Sequence, residues 1–115
     1  MFTKITIIIT IYCPPLFRLY IGDKSFDRIE AIRDVVEAPL VLHGGSGVPD
    51  DQIQAAVKAG IRKINFGTDV CCSFLDAARE VDKSILALDL FMREPTEAVK
   101  NFAISKIKLL GADQR

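Results

Sequence analysis

The sequence predicts an α/β domain with parallel strands, and three observations carry that reading. An apolar run, Pro39 to Leu42, stops abruptly at His43-Gly44-Gly45-Ser46-Gly47, and a second run from Ile61 ends in Asn65-Phe66-Gly67-Thr68-Asp69. A helix-start signal follows each loop, Pro49-Asp50-Asp51 after the first and Thr68-Asp69 within the second. The stretches before and between the two runs carry apolar residues at helical spacing, with short links. That order, helix–strand–helix–strand, is a βαβ unit whose strands run parallel.

Taken from the start, Ile5 to Tyr12 (ITIIITIY) is β-branched and aromatic and ends at Cys13-Pro14-Pro15, which reads as a buried strand. A secretory hydrophobic segment behind Lys4 is the competing reading, but no small-residue cleavage site follows. The run is far shorter than the roughly 20 residues of a membrane span. Ser25 to Glu37 reads as a helix with Phe26, Ile29, Ile32, Val35 and Val36 on its inner face. Pro39 marks its end, because the residue before a proline avoids the α region. Pro49 is expected as the first helical residue of the next helix, with two aspartates favourable at its N-terminus. Ile53, Ala56 and Val57 face inward there, and Gly60 sits where a C′ glycine belongs. From Thr68 a longer helix is expected to run to about Leu90 on Val70, Phe74, Ala77, Ala78, Val81, Ile85 and Leu88. A last helix starts near Pro95, turns Val99, Phe102, Ala103 and Ile107 inward, and stops at Gly111, as a natural C-terminus would.

The totals bound the function. With 115 residues the chain is at most one domain, large enough for a modest core. Fifteen basic residues balance fifteen acidic ones and the two signs are interleaved, so neither nucleic acid nor an anionic membrane is favoured as a partner. Cys13, Cys71 and Cys72 form no metal-binding or disulfide pattern, which points to a reducing, cytoplasmic setting. The one histidine, His43, limits what metal chemistry the chain can do alone.

Two strand ends opening into Gly/Ser/Thr loops above helix N-termini suit a phosphate or sugar-phosphate. Glycine lets backbone N–H groups approach closely, and Ser46 and Thr68 add hydroxyl donors. In (β/α)8 barrels the loops after the last two strands frequently build such a site. His43 is a candidate metal ligand or acid–base group, or simply a histidine hydrogen-bonded at the rim of a core. Asn65 could bind a substrate hydroxyl or carbonyl, or stabilise a turn. Asp69 reads as a helix-start residue, and Cys71 and Cys72 as packing residues. G-G-S-G lacks the spacing of a dinucleotide fingerprint, and no Ser-His-Asp arrangement is present.

The run PLVLHGGSGVPDDQIQAAVKAGIRKINFGTD, Pro39 to Asp69, resembles the closing barrel segment of the class II, zinc-dependent ketose-bisphosphate aldolases, the fructose- and tagatose-bisphosphate enzymes among them. The likeness extends back through Phe26-Asp27-Arg28-Ile29 and forward to Ile107-Lys108-Leu109-Leu110-Gly111. It implies the C-terminal part of a TIM (β/α)8 barrel, the last two βα units plus C-terminal helices, over residues 21–115. Residues 1–20 do not match and hold the strand-like run. The resemblance further implies reversible, zinc-dependent cleavage of a ketose 1,6-bisphosphate to glycerone phosphate and glyceraldehyde 3-phosphate. His43 would then be a Zn²⁺ ligand, and Gly44, Gly45 and Ser46 would hold a substrate phosphate. Asn65 and Phe66 would lie near the bound ketose, and Gly67 and Thr68 toward the phosphate. The family places two further histidine ligands and its acidic proton-transfer residue in earlier strands, which this sequence does not hold. A homo-oligomer, or self-association through the open barrel, is therefore expected. A second reading is a sugar-phosphate-binding or interaction protein without catalysis, and a third is a piece with no function of its own.

Overall fold

The structure, a computed structural model, describes residues 8–10 and 23–114. The chain divides into two compact units, one ending at Phe66 and the other beginning at Gly67. The first unit is the α/β part. Its sheet has the order β1 (Ile8–Thr10), β2 (Leu40–His43), β3 (Ile61–Ile64), with every pairing parallel. Of the strand expected over Ile5 to Tyr12, Ile8–Thr10 is present, and the remainder lies outside the described residues.

Helix α1 (Asp23–Val35) precedes β2, and α2 (Asp50–Ala59) connects β2 to β3. The apolar spacing of α2 does what it predicts: Ile53 and Ala56 are fully buried. Leu40, Val41 and Leu42 are buried in sequence rather than alternately, as befits a central parallel strand covered on both faces. In α1, Ile29 is buried, but Val35, expected to face inward, is 81% exposed. Helix α2 starts one residue later than expected, with Pro49 as the residue before it and Asp50 as its first.

The turn from α2 to β3 sets the register that positions the site. Gly60 adopts φ 128°, and its N–H donates to Ala56 O and Val57 O, both at 3.2 Å. Arg33 of α1 donates from Nη1 to Ala59 O at 3.2 Å and closes the same helix end. Leu40 pairs with Ile61 and Val41 with Lys63, so Arg62 is an extra residue in β3. After that bulge Leu42 pairs with Ile64. The two strand ends therefore arrive side by side, His43 beside Asn65.

The second unit is helical. Helix α3 (Thr68–Glu80) packs on α5 (Arg93–Leu109), with the short α4 (Leu88–Phe91) before α5 and a 3₁₀ turn, Ala112–Gln114, after it. Pro95 lies in the first turn of α5, where no intrahelical N–H is required, and is buried. The helix expected to run from Thr68 to Leu90 stops at Glu80, because Val81 turns to an extended backbone at ψ 134°. Asp82 holds the reversal by accepting the Ser84 backbone N–H at 2.7 Å. That bond, with one from the Ser84 hydroxyl, holds the Asp82 carboxyl below the usual carboxylate range. A depressed carboxylate stabilises the folded chain above the ordinary range, near pH 4, and stops doing so as pH falls through its folded value. Asp82→Asn is thus expected to be less stable than the parent at pH 7, by a margin that shrinks as the pH is lowered below the ordinary carboxylate range, measured by urea unfolding across that range.

Candidate functional site

The C-terminal ends of β2 and β3 bring together the residues with the most chemistry in the first unit. His43 is the last residue of β2 and is half-buried. Asn65 directly follows β3, and its Nδ2 lies 3.1 Å from His43 Nδ1. The backbone secures the pair: Asn65 N–H donates to Leu42 O at 3.2 Å, and Gly45 N–H donates to Asn65 O at 3.0 Å. The peptide of Asn65 is thereby fastened to residues on both sides of His43.

The loop after His43 turns on two left-handed glycines, Gly44 at φ 74° and Gly47 at φ 76°. Gly45 between them is buried and needs its small size for another reason. A Cβ there would lie 2.5 Å from Ile64 Cγ2, 3.1 Å from Phe66 Cε1 and 3.2 Å from Asn65 O. Val48 N–H closes the turn onto Gly45 O at 3.4 Å, and buried Val48 anchors it. Ser46 is half-buried at the tip of the turn. The Gly45 N–H, one of the donors expected for a phosphate, is already taken by Asn65 O. Asp50 and Asp51 occupy the first turn of α2, so their charge offsets the positive end of that helix.

A profile describing the class II fructose-bisphosphate aldolases matches residues 19–115. The chain belongs to that family. A protein of Escherichia coli K12, YdjI, described as uncharacterised, is 43% identical over 90 residues, which are 77% of this chain and 31% of YdjI. A fructose-bisphosphate aldolase of Geobacillus stearothermophilus is 38% identical over 95 residues, 76% of this chain and 32% of that enzyme. The crystal structure of the YdjI aldolase superposes with a TM-score of 0.70 at 41% identity, over 76% of this chain and 34% of that one. The chain thus spans about a third of the length of the relatives it matches.

Within this family member, the remaining residues singled out by sequence stand as follows. Phe66, half-buried, ends the first unit, with Cε1 of its ring 3.1 Å from where a Cβ at Gly45 would stand. Gly67 and Thr68 are exposed and open the second unit, with Gly67 O accepting the Cys71 N–H at 3.2 Å and Thr68 starting α3. Cys71 and Cys72 are exposed free thiols rather than packing residues. Cys13 lies outside the described residues.

Among the described residues the donor set does not make a zinc centre on its own. Catalytic zinc takes three protein ligands, whereas the chain has one histidine. Among the described residues no three His, Cys, Asp or Glu side chains gather where they could hold a metal ion. His43 is chemically suited to be one ligand of such a centre and no more. Among the described residues, no helix is long and apolar enough to cross a membrane.

The bond between Asn65 and His43 is what sequence reasoning missed. A signal for it existed: a polar residue closes each apolar run immediately before a glycine-bearing turn. Placing the two residues beside each other required the β2–β3 register, including the bulge at Arg62.

Proposed function

We propose that this chain supplies the phosphate-holding strand ends and one metal-ligating imidazole of a class II aldolase. The reaction is reversible cleavage of a ketose 1,6-bisphosphate to glycerone phosphate and glyceraldehyde 3-phosphate. The observation that carries the reading is the fastening of two adjacent parallel strand ends through Asn65, which sets an imidazole, an amide and a glycine turn at one point. Such a point suits a ligand with a phosphate at one end and a carbonyl or hydroxyl nearby.

In this reading Gly44 and Ser46 hold the phosphate, Gly45 shapes their loop, and Asn65 and Phe66 face the sugar carbons. Gly67 and Thr68 are assigned to phosphate through the N-x-G-T motif alone. Zinc dependence belongs to the same proposal, with His43 as one ligand and the others supplied from outside the described residues. So does the assignment of residues 21–115 to the closing part of a (β/α)8 barrel. Among the described residues β3 pairs only with β2, and an unpaired parallel edge favours self-association. A cytoplasmic location fits such chemistry.

The test is calorimetric binding of glycerone phosphate to the purified chain, followed by cleavage of fructose and tagatose 1,6-bisphosphates with zinc or with a chelator. Binding is expected, and Ser46→Ala is expected to weaken it about tenfold, as loss of one hydrogen bond to a charged group does. Cleavage, where self-association or a complementary chain brings the missing ligands to His43, is expected to be chelator-sensitive and absent in His43→Ala. Binding without zinc-dependent cleavage would favour the non-catalytic sugar-phosphate reading, and no binding would remove both.

A further inference from the structure

We propose that the cleft at the N-terminal ends of β2 and β3 binds a free aliphatic α-amino acid, with Arg62 taking its carboxylate and Glu37 its ammonium group. The cleft lies at Leu40 and Gly60, where the two strands begin, and His43 and Asn65 stand where they end. The proposal is separate from the sugar-phosphate reading and does not rest on it.

The geometry is the first support. The cleft has a volume of about 250 Å³, and all of its lining belongs to the first unit. Arg62 reaches it from the bulge in β3, as the extra residue between the Leu40–Ile61 and Val41–Lys63 pairs. Bulges re-aim a side chain in this way. Among the described residues the Arg62 guanidinium makes no hydrogen bond or ion pair, and neither does the Glu37 carboxylate. Arg33 beside them is held in place. Its Nε and Nη2 donate to Asp34 Oδ1 at 3.0 Å and 2.8 Å, and its Nη1 donates to Ala59 O at 3.2 Å. Gly60 leaves room for that arm, since a Cβ there would stand 2.7 Å from Arg33 Cδ. Arg33 is therefore a fixed wall whose charge Asp34 already matches.

The charge left over is the second support, and it decides the ligand. With Arg33 and Asp34 paired, one cation, Arg62, and one anion, Glu37, remain on the cleft. A phosphate would gain from Arg62 and be repelled by Glu37, whereas a zwitterion satisfies both. The planar guanidinium fork matches a carboxylate with two parallel hydrogen bonds. Glu37 lies two residues past the end of α1, where the negative end of the helix dipole also favours a cation. Val36, Ala38 and Pro39 add apolar lining, which suits an aliphatic side chain, and the volume accommodates a molecule the size of valine.

The test titrates the purified chain with L-valine and follows the Gly60 and Arg62 backbone amides by ¹⁵N NMR. The comparison probes are N-acetyl-L-valine, which keeps only the carboxylate, isobutylamine, which keeps only the ammonium group, and inorganic phosphate. Valine is expected to move both signals. Each single-charge probe is expected to bind about tenfold or more weakly than valine, as loss of a hydrogen bond to a charged group does. Arg62→Gln is expected to weaken valine and N-acetylvaline alike. Glu37→Gln is expected to weaken valine about tenfold without weakening N-acetylvaline. Both side chains are exposed, so neither substitution removes a buried contact. The Gly44 and Ser46 amides are expected to stay still with valine, so failure here is distinct from failure of the sugar-phosphate reading. No response to valine, a phosphate response equal to that of valine, or an unchanged valine affinity in either variant would overturn the proposal.

Discussion

Gly45→Ala is expected to destabilise the chain by ~1–3 kcal/mol, the usual cost of forcing a methyl group into a packed site. Its Cβ would stand 2.5 Å from Ile64 Cγ2, closer than real Cβ contacts come. Ile64 is β-branched and stiff at χ1. Another of the three neighbours is the Asn65 carbonyl, the backbone atom that the Gly45 N–H bonds. Relief therefore comes by moving the loop off the end of β3, which breaks the Gly45–Asn65 bond and separates Asn65 from His43. Both a lower urea midpoint and weaker glycerone phosphate binding are expected. Gly47→Ala is the control, since φ there is 76° but nothing lies within 4 Å of the added methyl. It should cost only the left-handed backbone, about 1 kcal/mol. Equal losses in the two variants would show that backbone torsion, and not the fit against Ile64, governs position 45.

How much of this was legible in the sequence follows from what each element depends on. The first unit is built from local signals that agree with one another. Apolar runs stop at glycine turns, Ile53 and Ala56 recur at helical spacing, and Gly60 takes the positive φ that its place after α2 suggested. The two loops were legible for the same reason, because motif and strand end coincide. The second unit was less so. Apolar spacing continues from Val70 to Leu88, yet α3 ends at Glu80. Asp82 and Ser84 offer the backbone a local hydrogen bond that competes with the helix. Periodicity also names an apolar face without saying what covers it, and Val35, Leu88 and Ile107 all lie on expected inner faces yet are exposed. The bond between His43 and Asn65 depends on a cross-strand register altered by one extra residue, Arg62, and no window of single-chain sequence contains that information.

Leu42→Ala is expected to be the most damaging single truncation in the first unit, at about 2–5 kcal/mol. Leu42 has no exposed surface, pairs with Ile9 on one side and Ile64 on the other, and accepts the Asn65 N–H through its carbonyl. Truncating its isobutyl group to a methyl leaves a void at the central strand, one residue from His43. Domains are stable by only roughly 5–15 kcal/mol, so the folded fraction itself should fall on mild heating. Val35→Ala removes an apolar group of similar kind that is 81% exposed, and should change stability by no more than about 0.5 kcal/mol. The pair also separates folding from chemistry at the site. Glycerone phosphate binding lost in Leu42→Ala should follow the unfolded fraction and return when an excluded osmolyte drives refolding. The loss in Ser46→Ala should persist in the same osmolyte, because that variant lacks a donor and not a fold. Binding that stayed absent in refolded Leu42→Ala would mean that the strand end tolerates no displacement of His43 and Asn65, a tighter geometric demand than hydrogen bonding to phosphate alone imposes.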